Sequence, residues 1–370
     1  MSQITKNALA TALKKLLSKK ELSKITISNI TEECGVNRQT FYYHFKDIYD
    51  LLEWIFTNEV IEEIDNEIEE NWQQKFIYIF EYVIQNKEFI NMKRNLIIGV
   101  RKTHKFVENH KTSDYLVPYT SSGCTAACMY CYLVCNYNKC AYLRLFVNRE
   151  QMLDKIIKIA NKAEKELTFE IGSNSDLILE NTITGNLPWT IENFKNSPKG
   201  YLTFPTKFDM VDDILNIDHQ GKVTVRMSVN PEEIINKVEF GTSRLKGRIE
   251  AINKLKEAGY KVGILIAPVI MVENWKELYS ELIKQLSENL TEKVKKDAFF
   301  EIIFMTYSFV HTKINEEAFP NAINLYNKDL MTGRGKGKYM YKIGIRKDGE
   351  NFLREQMKKY FPNNEIMYIV

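Results

Sequence analysis

The chain of 370 residues is longer than one ordinary domain, and with 44% hydrophobic and 12% aromatic residues it can bury a large core, which excludes a disordered protein. No run approaches the roughly 18 uncharged apolar residues that span a bilayer, and the N-terminus is amphipathic rather than signal-like, so a cytoplasmic protein with no membrane partner is expected. The net charge of +3 hides a partition: residues 1–48 carry eight Lys/Arg against four Asp/Glu, residues 49–92 carry two against eleven, and the rest is basic again. Clustered positive charge favours polyanions through counterion release, which makes nucleic acid a candidate partner of either basic block.

In chain order, Ile4, Leu9, Leu13, Leu16 and Leu17 mark the apolar face expected of a basic first helix over residues 3–18. A short helix over 26–34, a turn at Gly35 and a second short helix over 37–44 then give helix, tight turn, helix, a geometry used to read DNA. Asp47 is placed to cap a longer helix through Ile48, Leu51, Leu52, Ile55 and Phe56. Its acidic continuation over 59–70 reads as a solvated face. Cys34 reads as a small buried apolar residue.

The segment ITISNITEECGVNRQTFYYHFKDIYDLL resembles the DNA-binding domain of TetR-type repressors. The resemblance implies an all-α helix-turn-helix domain over residues 1–60, with residues 61–95 as a helical remnant or connector. It places Arg38, Gln39 and Thr40 toward base edges or phosphates and Tyr43, His44 and Lys46 on the DNA backbone. DNA, including an operator, is the implied partner.

From Leu96 the hydrophobic period changes. LIIGV, YLRLFV, LTFEIG, YLTFPT, VTVRMSV, VGILIAPVI and FFEIIF read as strands, with helices expected over 149–166, 232–258 and 274–287. Strand and helix in alternation, over about six units, predict an α/β parallel sheet forming a partial or full barrel over residues 96–370.

Five of the six cysteines, Cys124, Cys128, Cys131, Cys135 and Cys140, fall within seventeen residues. Such clustering points to metal or redox chemistry rather than a disulfide framework. The spacing C-x3-C-x2-C follows the strand-like YLVPYT, on a loop at a strand's C-terminal end. Three thiolates can hold three irons of a 4Fe-4S cube and leave the fourth open. Zinc, or a closed cluster with Cys135 or Cys140 as fourth thiolate, is the competing use.

This motif resembles the radical S-adenosylmethionine superfamily, in which the open iron binds S-adenosyl-L-methionine and cleavage gives a 5′-deoxyadenosyl radical. Successive segments, among them SDYLVPYTSSGC, FEIGSNSD, TKFDMVDDILNIDHQGK, FGTSRLKGRIEAINKLKEAGYKVGILIAPVI and GKGKYMYK, resemble the spore photoproduct lyase family over about 96–370. The resemblance implies a carbon–carbon lyase in DNA repair. Its lesion would be 5-thyminyl-5,6-dihydrothymine, reversed to two thymines with electrons from a ferredoxin or flavodoxin. It assigns Tyr130 and Tyr132 to a hydrogen relay, and Ser175, Lys207, Ser228 and Ala267 to S-adenosylmethionine. An ammonium and serine hydroxyls suit that cofactor's carboxylate and ribose.

Three departures stand out. Ser173 occupies the place of the family's hydrogen-donating cysteine, which shifts the expected donor to Cys140 or Cys135. An Arg-Tyr pair gives way to Gly333 and Arg334, and a His-Arg pair to Met305 and Thr306, leaving Arg334, Lys336, Lys338 and Lys342 to grip phosphates. The repressor-like module is expected to replace the family's own N-terminal region. Two other functions fit the same residues: a TetR-like regulator with a radical S-adenosylmethionine sensor, or a related radical enzyme with another substrate.

Overall fold

In the computed structural model, residues 2–17, 19, 25–45, 48–56, 96–135 and 143–370 are described. They fall in two compact units, Met1–Asn95 and Leu96–Val370. The connector, the acidic run, Asp47, Lys46 and Cys140 lie outside the described residues.

The first unit contains α1 (Ser2–Leu17), α2 (Ile27–Cys34), α3 (Arg38–His44) and α4 (Ile48–Phe56). Thr26 caps α2 and shares a reciprocal capping box with Asn29, and Asn37 caps α3 by accepting from the Thr40 amide. Gly35 ends α2 in the left-handed region at φ 72°, which a glycine adopts without the clash a Cβ would bring. Leu9, Leu13, Ile30, Phe41, Leu51 and Ile55 close a core of their own. Ile4 does not join it and is 75% exposed. At about 100° per residue it lies about 140° around the helix from Leu9. Cys34 is partly buried and packs against this core.

In the second unit the strands are β1 (Ile97–Gly99), β2 (Val107–Glu108), β3 (Tyr115–Leu116), β4 (Ser121–Ser122), β5 (Arg144–Phe146), β6 (Leu167–Glu170), β7 (Gly200–Thr206), β8 (Val223–Val229), β9 (Lys261–Val269), β10 (Phe299–Phe304), β11 (Thr306–Ser308), β12 (Met331–Gly335), β13 (Lys338–Tyr341) and β14 (Ile366–Ile369). Eight of them form one sheet in the order β14-β10-β9-β8-β7-β6-β3-β2, parallel throughout except for the β2–β3 edge pair. This is the partial-barrel α/β architecture that strand–helix alternation predicts. Central strands are buried on both faces: β9 is a near-continuous apolar run, and β8 alternates apolar side chains with Thr224, Arg226 and Ser228.

The helices are α5 (Tyr132–Cys135), α6 (Arg149–Lys162), α7 (Leu177–Thr184), α8 (Asn186–Phe194), α9 (Glu232–Val238), α10 (Leu245–Glu257), α11 (Trp275–Asn289), α12 (Glu292–Asp297), α13 (Phe309–Ala318) and α14 (Ile343–Tyr360). The single helix expected over 232–258 is thus two, α9 and α10. The break has a reason in packing: the Gly241 amide donates to the Ala126 carbonyl at 2.9 Å. A Cβ on Gly241 would meet that oxygen at 2.9 Å, so the chain must leave the helix to reach the cysteine loop. Among the described residues no helix is long and apolar enough to cross a membrane.

Phe41 is fully buried between the helices of the first unit. Phe41→Ala should cost that unit about 3–5 kcal/mol, read as earlier loss of amide protection in α1–α4 by hydrogen exchange.

Candidate active site

Residues from nearly every strand of the large sheet, from Leu116 to Tyr368, line one cavity of about 510 Å³, so the sheet curls around it. The cavity walls include the C-terminal ends of β6 to β10, where ligand sites of parallel α/β folds gather.

The cysteine loop leaves β4 and enters α5. Gly123 donates from its amide to the Asn174 carbonyl at 2.8 Å, Met129 from its amide to the Val238 carbonyl at 3.0 Å, and Cys128 pairs with Glu239 as an isolated bridge. Ala127 takes a left-handed φ of 51°, which turns the loop between the first two cysteines. Cys124, Cys128 and Cys131 all line the cavity. Burial, then the charge of Asp176, pushes the Cys124 thiol up to about 12, and burial raises that of Cys128 well above the ordinary thiol range. Thiols held neutral in an apolar wall become ligands when a cation compensates their charge.

Among the described residues, no three His, Cys, Asp or Glu side chains are arranged to hold a single metal ion. Soft thiolates are the donors that suit iron-sulfur clusters, each holding one iron of a cube. The donor set, three soft sulfurs on a loop against an open cavity, fits an iron-sulfur cube with one free corner.

Opposite the loop, Lys207 follows β7. Its ammonium donates to the Ser228 hydroxyl and, at 2.9 Å, to the Ala267 carbonyl, and lies 3.6 Å from the Glu239 carboxylate. Ser228 also donates to the Ala267 carbonyl at 2.9 Å. Ser175 shares a hydrogen bond of 2.6 Å with Ser121, which donates to the buried Glu180 at 2.6 Å. Asp176 caps α7 and accepts from the Lys207 amide at 2.9 Å. Lys207, Ser175, Ser228 and Ala267 therefore line one cavity with the three cysteines. Tyr130 and Tyr132 line it too. Tyr130 donates to Glu239, and burial, then the charge of Glu239, keeps its hydroxyl protonated. Tyr132 donates to the backbone carbonyl of Ser173. Ser173 itself is at the cavity wall. Cys135 ends α5.

Sequence reasoning missed Glu239. Fully buried, it accepts from Tyr130, from Asn230 at 2.8 Å and from Arg248 at 2.6 Å. Burial opposes its charge, but Lys207 and Arg248 more than offset that and hold its carboxyl at about 2. Arg248 is itself fully buried and donates to the Ser228 carbonyl at 2.9 Å. No periodicity announces such a pair, because the two residues straddle a helix break. A second buried group, Arg226 between Glu170 and Glu301, with Thr112 donated to at 2.8 Å, forms another part of the cavity wall.

In the first unit, Arg38 and Gln39 are exposed and Tyr43 is 84% exposed, with the half-buried His44 ring edge-on to it at 5.0 Å. Thr40 is committed to the cap, its hydroxyl donating to Asn37 at 2.9 Å. Arg334, Lys336 and Lys338 are exposed on the β12–β13 hairpin, while Lys342 donates to the Asp329 carbonyl at 2.7 Å. Met305 is buried and Thr306 is exposed beside it.

Residues 51–370 match the family model described as spore photoproduct lyase. The chain belongs to the spore photoproduct lyase family. The spore photoproduct lyase of Bacillus subtilis is 36% identical over 291 residues, covering 76% of this chain and 84% of the relative. A solved spore photoproduct lyase variant with bound AdoMet and dinucleoside spore photoproduct superposes with a TM-score of 0.70 at 27% identity, covering 86% of this chain and 94% of that one. Residues 9–55 match the model of bacterial regulatory proteins of the tetR family. The transcriptional activator DhaS of the dhaKLM operon of Lactococcus lactis is 28% identical over 171 residues, 42% of this chain and 86% of the relative. The lyase match begins at residue 51, so the connector over 61–95 falls within the matched span.

Arg248→Met, which leaves the Glu239 carboxylate without its closest cation, should destabilise this spore photoproduct lyase homologue by about 3–5 kcal/mol in denaturant titration. Combining it with Glu239→Gln should recover much of that loss, so that the two changes are strongly non-additive.

Proposed function

We propose that this chain is a DNA-repair lyase that reverses the spore photoproduct 5-thyminyl-5,6-dihydrothymine to two thymines. The observation that carries the reading is the meeting, in one cavity, of the three cysteines with Lys207, Ser228, Ser175 and Ala267. Cys124, Cys128 and Cys131 would hold a 4Fe-4S cluster, and Lys207 with the Ser175 and Ser228 hydroxyls would hold the carboxylate and ribose of S-adenosyl-L-methionine. Together these groups would supply an electron and a hydrogen-abstracting radical, the electron coming from a ferredoxin or flavodoxin in a cytoplasmic setting.

The chain's own residues then do the positioning. The Lys207 ammonium is held by Ser228, the Ala267 carbonyl and Glu239, which fixes a point charge for a carboxylate. Apolar walls keep water away from a radical centre. Tyr130 and Tyr132 flank Cys131 and stand beside the reacting space, where a phenolic O–H can relay a hydrogen atom. Ser173 cannot replace a thiol as donor to a carbon radical, since a hydroxyl O–H is much stronger than an S–H. Cys140, ahead of Cys135, is the proposed donor to the thymine radical.

The first unit would contact duplex DNA through Arg38, Gln39, Tyr43, His44 and Lys46, with Thr40 restricted to its cap. Arg334, Lys336 and Lys338 would contact phosphates near the lesion.

Incubated anaerobically with dithionite and S-adenosyl-L-methionine, the protein should convert dinucleoside spore photoproduct to thymidines. Cys128→Ala should abolish turnover, since removal of one of three thiolates dismantles the cluster's attachment. No conversion by protein carrying a full cluster would overturn the assignment. Cys140→Ala should divert the product to adducts and by-products with little change in substrate consumption, and clean repair in both Cys140→Ala and Cys135→Ala would remove the relocated donor.

A further inference from the structure

We infer that the helical unit serves the lyase as a sequence-independent DNA tether, raising the local concentration of duplex at the cavity, and does not serve as an operator reader. The inference rests on the lyase reading above. The matches to the two family models, at residues 9–55 and 51–370, overlap by five residues, so both units lie on one chain.

The surface carries groups that can grip a polyanion. In α3 the side chains free of the core are Arg38, Gln39, Tyr42 and Tyr43, the last two 53% and 84% exposed. Thr40 at the same end is spent on the Asn37 cap. That leaves one guanidinium, one amide and two phenols. Arg and Tyr contacts of this kind position a protein on the phosphate backbone. Residues 1–48 are basic by four charges, whereas residues 49–92 are acidic by nine. Within the first unit, attraction to DNA is therefore concentrated in residues 1–48, and it recurs in the basic remainder, where the β12–β13 hairpin exposes Arg334, Lys336 and Lys338.

The substrate supplies the remaining argument. Ultraviolet light joins adjacent thymines wherever they occur, so lesion position carries no flanking sequence. A module bound to one operator would hold the lyase away from almost every lesion. A module bound through phosphates keeps any duplex within reach, and linking two weak contacts on one chain multiplies apparent affinity without a new contact. Non-specific binding of this type also permits sliding along the duplex.

The test uses the full chain and two substrates, dinucleoside spore photoproduct and the same lesion in a long duplex in several flanking sequences. Arg38→Glu and, separately, the pair Arg38→Ala and Tyr43→Ala alter exposed positions outside both cores. Each should leave kcat/KM on the dinucleoside unchanged. On the duplex, each should raise KM by ~10²-fold at unchanged kcat, with a shallower salt dependence and no influence of flanking sequence. An unchanged ratio of duplex to dinucleoside kcat/KM overturns the tether. An advantage confined to one flanking sequence also overturns it, in favour of an operator. Absence of dinucleoside turnover by the parent chain marks instead failure of the lyase reading. Equal loss on both substrates in both variants contradicts the tether, because it shows the positions serving the barrel's own turnover.

Discussion

A single buried carboxylate ties the two halves of the candidate site together. Glu239 receives Tyr130 from the cysteine loop, Arg248 from α10 and Asn230 from the end of β8, and stands 3.6 Å from the Lys207 ammonium. Its charge in a buried position is sustained by the Lys207 and Arg248 cations and by the Tyr130 and Asn230 hydrogen bonds, and the cations are held in turn by Glu239 and by the backbone carbonyls of Ser228 and Ala267. Removing one member leaves another buried and unpaired, so the group persists as a unit. Through it the loop that would carry a metal cluster is fixed relative to the strand ends that would carry the cofactor's polar groups.

The fold makes this arrangement available. Parallel strands buried on both faces put their C-terminal ends on one rim, and the short Glu239–Arg244 passage between α9 and α10 drops from that rim to the cysteine loop. Gly241 is what lets the backbones approach, because a side chain there would strike the Ala126 carbonyl. The cysteine loop is thereby supported from the sheet side as well as by its own turns.

Much of this was legible in the sequence. Cysteine spacing after a strand identified the loop, β-branched and aromatic runs identified the strands from β5 to β10, and two short helical stretches about Gly35 marked the helix-turn-helix. The break within 232–258 was not legible, since apolar periodicity runs nearly unchanged across it and its cause is a contact with a loop more than a hundred residues away. Glu239 and Arg248 were hidden for the same reason: on either side of that break they read as ordinary surface charges. Ile4 was misread because a plausible residue type was counted without its angular position, and the C-terminal α14 and β14 were passed over because 343–360 is dominated by charge, only Gly349, Leu353 and Met357 being buried.

The central claim is that three thiolates hold a cluster with one iron free for S-adenosyl-L-methionine. Low-temperature electron paramagnetic resonance of the dithionite-reduced protein, with and without S-adenosyl-L-methionine, tests it most directly. The account predicts a reduced-cluster signal whose g values change when the cofactor is added, since it binds the metal itself. A signal indifferent to the cofactor, or protein that contains zinc and no inorganic sulfide after anaerobic reconstitution, would contradict it.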